Sequence, residues 1–149
     1  MEPVSFAHAE LQVVPVAGGD DEVVLATNLT AADARALVEA LSWQRARDHL
    51  VPAIETAEHV LALRELTALV DLLEVVADDP HGGPVVLNGP RLRLLAEAAC
   101  RYAHERDGEG YVTGEVRDRV ERLRNLTGPL FEWAARVAQA DRRELARRW

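Results

Sequence analysis

The sequence predicts an α+β fold, predominantly helical, in which an N-terminal β-hairpin precedes a four- or five-helix bundle with a small β-sheet. Three observations predict it. The run Val60-Leu-Ala-Leu-Arg-Glu-Leu-Thr67 returns as Val120-Glu-Arg-Leu-Arg-Asn-Leu-Thr127, and each copy spaces apolar residues at i, i+3 and i+6, as one helix face requires. Upstream of each copy stands a Val-Val-Leu run, Val23 to Leu25 and Val85 to Leu87. Between run and copy lies an alanine-rich amphipathic segment closing on Arg-Asp, at 47–48 and again at 106–107. These features recur in one order. The chain therefore reads as a single domain, 1–149, built from a strand-helix-helix duplication, with pseudo-repeats at about 22–79 and 84–140 joined by a Pro/Gly-rich connector at 78–84.

At 149 residues the chain is long enough to bury about 68–70% of its unfolded surface without staples. Its 25 acidic and 17 basic residues give a net charge of −8, which repels a phosphate backbone, so a nucleic-acid partner is not expected. No apolar run approaches the roughly 20 residues that span a bilayer, so no membrane partner is expected either. The opening residues lack the basic and apolar regions of a secretory signal, and the lone Cys100 fits a reducing compartment; a cytoplasmic location is expected. Every basic residue is arginine, a bias of GC-rich genomes that points to a bacterial source.

Taken in order, Glu10–Val16 is a strand whose Pro15 confines it to a sheet edge or to a strand end. Gly18 and Gly19 supply a turn, so this strand and Glu22–Ala26 are expected to form a hairpin. Thr30 with Asp33 caps a first helix running to about Asp48, with Ala34, Leu37, Val38, Leu41 and then Arg45 or Ala46 as its buried stripe. Pro52 suits the start of a second helix, about Ala53 to Ala77. Its apolar residues, Val60 through Val76, wrap most of the circumference, which predicts a central helix whose surplus surface another chain covers. Glu55, Glu58 and His59 near its start lack the spacing of a metal-binding bundle and are expected to face solvent.

The breaker run Asp78-Asp-Pro-His-Gly-Gly-Pro84 separates the halves, and Val85–Leu87 is a strand expected to pair with Val23–Leu25. Asn88-Gly89-Pro90 opens a third helix with Leu92, Leu95, Ala96, Ala99 and Tyr102 or Ala103 inward, ending at Asp107-Gly108. Cys100 on this helix is read as a buried or half-buried inert thiol. A fourth helix, Glu115–Leu126, carries Val116, Val120, Leu123 and Leu126 inward and an ion-paired exposed face. Gly128-Pro129 is expected to kink or break it, after which Leu130, Trp133, Val137 and Ala140 continue the stripe. The terminal arginines, from Arg142 onward, suit the negative end of a helix dipole.

No glycine-rich phosphate loop, zinc-ligand set or nucleophile motif is visible, so no catalytic residue, metal ligand or cofactor is assigned. The leading expectation is a non-catalytic interaction or assembly module, a homodimer or the partner of another protein. Its interface candidates are Trp43, Leu61, Leu72, Phe131 and Trp133. The alternative is a small-molecule-binding domain or enzyme with a pocket between the halves, where Cys100, Tyr102, His104 and Tyr111 would converge.

Overall fold

The computed structural model describes residues 4–16, 19, 21–50, 57–107 and 114–147. In chain order they form β1 (Ala7–Val14), β2 (Glu22–Leu29), α1 (Ala31–Leu50), α2 (Ala57–Asp78), β3 (Gly83–Asn88), α3 (Gly89–Asp107) and α4 (Gly114–Arg147). The fold is α+β and predominantly helical, with four helices among the described residues and one antiparallel sheet in the order β1-β2-β3. No helix among them is long and apolar enough to cross a membrane.

The hairpin forms as predicted, with Val14 opposite Glu22 and Leu11 opposite Leu25. It begins at Ala7 rather than Glu10, because an irregularity between Ala7 and Glu10 shifts the register and lets pairing resume nearer the N-terminus. Phe6, just before that shift, and His8, within it, have φ values of 65° and 54°, in the left-handed region that side-chain-bearing residues seldom adopt. The resulting path brings Ser5 to the start of α1. Its hydroxyl accepts the Thr30 N–H at 3.1 Å and donates to the Asp33 carboxylate. Thr30 Oγ1 in turn accepts the Asp33 N–H at 3.1 Å, the predicted cap, a contact of about 1 kcal/mol in typical proteins.

β3 pairs with β2 as expected, antiparallel, with Leu87 opposite Leu25 and Val85 opposite Thr27. That register keeps Leu25, Thr27, Val85 and Leu87, all buried, on one side of the sheet. It also sets the closing leucines of the two Val-Val-Leu runs face to face. That side of the sheet joins α1 (Leu37, Leu41), α2 (Leu69, Leu73), α3 (Leu92, Leu95) and α4 (Leu123, Leu130, Val137) in a single buried cluster. The helix layer stops short of β1. Leu11 and Val13 share the face of Leu25 and Val23, yet they remain 40% and 50% exposed.

The connector is an Asp-centred turn: the Asp79 carboxylate accepts the His81 N–H at 2.9 Å and the Asp79 carbonyl accepts the Gly82 N–H at 2.9 Å. α1 buries the predicted stripe, but beyond Leu41 the buried position is Gln44, not Arg45 or Ala46. α4 departs further from expectation, since it runs unbroken through Pro129. Gly128, Pro129 and Asn125, whose carbonyl loses its usual donor, are all exposed, while Leu126, Leu130, Ala134 and Val137 hold one buried stripe across the site. Packing on the core side therefore overrides the breaker on the solvent side. Thr127 Oγ1 bonds the Leu123 carbonyl at 2.7 Å, and its match in the other half, Thr67, bonds the Leu63 carbonyl at 3.0 Å.

Candidate functional site

The apolar surplus predicted for α2 is mostly spent inside the molecule. Leu66, Leu69, Val70, Leu73 and Val76 are buried, Leu63 and Leu72 are half-buried against the core, and Val75 alone of its described large apolar residues is exposed, at 73%. With α1, β3 and the cluster beneath the sheet packed around it, the helix has neighbours on more sides than its sequence reveals. Leu72 is therefore a core-packed residue, and the side chain of Leu61 lies outside the described residues.

Besides the sheet, where Leu11, Val13 and Val86 are exposed, α4 carries exposed apolar surface at Phe131 and Leu145. Asn88 caps α3 by accepting the Arg91 N–H at 2.9 Å, and Gly89 lets the start of that helix approach Val137 of α4. Farther along α4, the Asp141 carboxylate accepts the Val23 N–H at 2.9 Å and ties the helix to the sheet. Between these anchors α4 carries alanines at 134, 135 and 138, whose short side chains leave a groove of about 620 Å³ beside the opening of α3. Phe131 and Leu145, 41% and 42% exposed, stand at its two ends, and Arg93, Arg142 and the Asp141 carboxylate line it with two positive charges and one negative. The volume is within the range of ligand and docking clefts, roughly 300–1,000 Å³.

A second cluster joins α1, α3 and α4. The Tyr102 hydroxyl donates to Glu39 Oε1 at 2.8 Å, and Arg119 meets the other oxygen of that carboxylate at 2.7 Å. Trp43 packs edge-on against the Tyr102 ring, 5.8 Å between centroids, and carries the Arg47 guanidinium over its own face at 5.2 Å. Trp43 is thus a half-buried seam between helices, with its ring committed to Tyr102. Burial first, then the hydrogen bond to Glu39 and the negative charge of that carboxylate, raise the Tyr102 pKa above the ordinary 10.0; Arg106 partly opposes them. Because the folded-state pKa lies above the unfolded one, the associated stability is complete below the unfolded value and declines as pH rises through the folded one. Tyr102→Phe is expected to cost about 1–2 kcal/mol in urea denaturation at neutral pH and to flatten the alkaline loss of stability. An unchanged alkaline limb in the variant would show that Tyr102 does not titrate this way.

The other predicted site residues scatter. Trp133 is half-buried with Arg136 stacked 4.9 Å from its ring centroid, and Phe131 stands exposed on the groove. Cys100 is exposed, correcting the expectation of a buried thiol, and His104 is exposed one turn along. Tyr102 points into the core, since residues two apart on a helix project about 200° apart, so it does not converge with Cys100 and His104. Tyr111 lies outside the described residues, as do Pro52 and Glu55 and the side chains of Glu58 and His59. The groove itself belongs to α3 and α4, both in the second half, rather than to a seam between halves. Arg142, expected only to suit the negative end of the helix dipole, lines the groove with Leu145, and the seven-residue spacing of Phe131, Ala138 and Leu145 is the sequence signal for this face. Among the described residues no group of three or more His, Cys, Asp or Glu side chains is placed to hold a metal ion.

Fold and site together define a helical α+β protein with an apolar groove on its α3/α4 face. Comparison with family models, with characterised proteins and with solved structures gives no match to this chain.

Proposed function

We propose that this protein is a self-associating interaction or assembly module, acting in the cytoplasm, whose docking surface is the α3/α4 groove. The observation that carries the reading is the exposure of Phe131 and Leu145 at the two ends of an alanine-lined cleft. Large apolar side chains concentrated on one rimmed surface mark contact sites, because covering them removes apolar area from water. The element order, strand-helix-helix twice, and the matched bonds of Thr67 and Thr127 support an origin by duplication. Aligned on those threonines, the end of α2 at Asp78 corresponds to Ala138, so the stretch of α4 that carries Arg142 and Leu145 has no counterpart in the first half. That extension supplies one end of the groove.

The test is solution mass by light scattering across a dilution series, for the wild type and for the double variant Phe131→Glu, Leu145→Glu. Both positions are partly exposed, so the fold tolerates the change while carboxylates enter the contact. The expected result is a wild-type dimer and a dissociation constant raised roughly 100-fold or more in the variant. A wild type that stays monomeric at every concentration would sink the reading. A second reading rests on the groove's volume and its two arginines: a small apolar ligand with an anionic end. Displacement of an environment-sensitive apolar dye by a medium-chain carboxylate, in a monomeric wild type, would favour it.

A further inference from the structure

The two halves of the chain differ at one matched ion pair, and the difference falls in the groove. Thr30 accepts the Asp33 N–H at the start of α1 as Asn88 accepts the Arg91 N–H at the start of α3, so Arg35 corresponds to Arg93. Burial agrees with that match: Ala34, Leu37, Val38 and Leu41 are buried, and so are their counterparts Leu92, Leu95, Ala96 and Ala99. On the second helix of each half, the bonded threonines set Asp78 against Ala138. In the first half Arg35 Nη2 meets the Asp78 carboxylate at 2.7 Å. The counterparts Arg93 and Ala138 both line the groove, and there a methyl group stands in place of the carboxylate.

The path of the chain differs in the same sense. After Asp78 the first half turns back at Asp79, and Gly82 comes so close to the start of α1 that a Cβ there would lie 3.1 Å from the Ala31 nitrogen. Ala31 corresponds to Gly89. α4 instead runs on past Ala138 to Arg147, so the chain does not turn back over Gly89 and Pro90, which line the groove. The groove is thus the second half's equivalent of a space that an aspartate-bearing segment fills in the first. Asp141, the acid among its lining residues, has its carboxylate on the Val23 N–H at 2.9 Å. Glu97 meets Arg93 at Nε, 3.1 Å away, which leaves the terminal nitrogens, the kind that hold Asp78 on Arg35, for a carboxylate from outside. We propose that the groove recognises an aspartate or glutamate of the second copy docked there, its carboxylate seated on Arg93 as Asp78 is seated on Arg35. The proposal rests on the self-association reading above and adds to it the chemical group that the groove selects. A chain of net charge −8 supplies such carboxylates, and Arg93 with Arg142 outweighs Asp141 in the groove, so the two surfaces are opposite in sign.

The test measures the dissociation constant of the dimer by light scattering on the full chain. Arg93→Ala is expected to raise it about three- to tenfold and to remove most of its rise with added salt, because an exposed ion pair is screened. Ala138→Asp gives the chain a carboxylate of its own at the matched position, where it engages Arg93 and competes with the incoming one. It is expected to raise the constant about threefold more than the neutral isostere Ala138→Asn, and that gap should close in the Arg93→Ala background. Arg93 and Ala138 are both exposed, so the fold tolerates these changes, and circular dichroism checks that it does. A wild-type dimer whose constant and salt dependence ignore Arg93→Ala overturns the carboxylate contact and leaves the self-association reading standing. So does a dimer that Ala138→Asn weakens as much as Ala138→Asp. A monomer throughout removes both.

Discussion

Gly82→Ala is expected to destabilise the protein by about 2–5 kcal/mol, lowering its Tm by about 10 °C. Gly82 sits at φ 72° between the Asp79 turn and β3, where an L side chain costs about 1–2 kcal/mol in backbone strain alone. A Cβ added there would also lie 2.2 Å from the Leu29 carbonyl oxygen and 3.0 Å from the Thr30 Cα. Both are backbone atoms at the point where β2 turns into α1, so relief requires moving either the β2 end or the connector. Movement of the β2 end would disturb the Thr30 cap. Thermal unfolding followed by circular dichroism checks the prediction; a Tm within about 2 °C of wild type would show that the connector yields freely.

Leu25→Ala is expected to cost about 3–5 kcal/mol in denaturant unfolding, whereas Leu11→Ala, directly across the strand pair, should cost less than about 1.5 kcal/mol. Leu25 is fully buried at the centre of the sheet, flanked by Leu11 and Leu87, and its removal leaves a cavity bounded by strands that cannot collapse. Leu11 shares its face but lies beyond the helix layer, 40% exposed, so truncation there removes less buried area and leaves no closed void. Equal costs at the two positions would mean that β1 is covered in solution.

Local chemistry was legible from residues alone. Thr30 and Asn88 cap α1 and α3 because a short polar oxygen one residue ahead of a helix meets first-turn amides whatever lies elsewhere. The inward stripe of α3, Leu92 through Tyr102, follows from helical periodicity, and Pro15 lies just past the end of β1, itself an edge strand. Phe131, an anchor candidate by residue type, stands exposed at the groove. Trp43, beside the buried stripe of its helix, is half-buried at a helix seam as its position implies, and Trp133, an anchor candidate by residue type, is also half-buried against the core. Residue type states how much apolar area a side chain has to hide; it does not state what is there to hide it.

The misses share that cause. A helix's surplus apolar surface depends on how many neighbours surround it. Pro129 stays inside α4 because the cost of its missing N–H falls on the solvent side while the buried stripe continues opposite, a balance only the packed helix sets. The sequence by itself determined the elements, their caps, their order and the apolar faces, because these rest on contacts within a few residues along the chain. The tertiary structure decided which faces were used up. Burial is a property of neighbours brought together from distant parts of the chain, so α2 vanished into the core while Phe131 and Leu145 of α4 were left facing solvent.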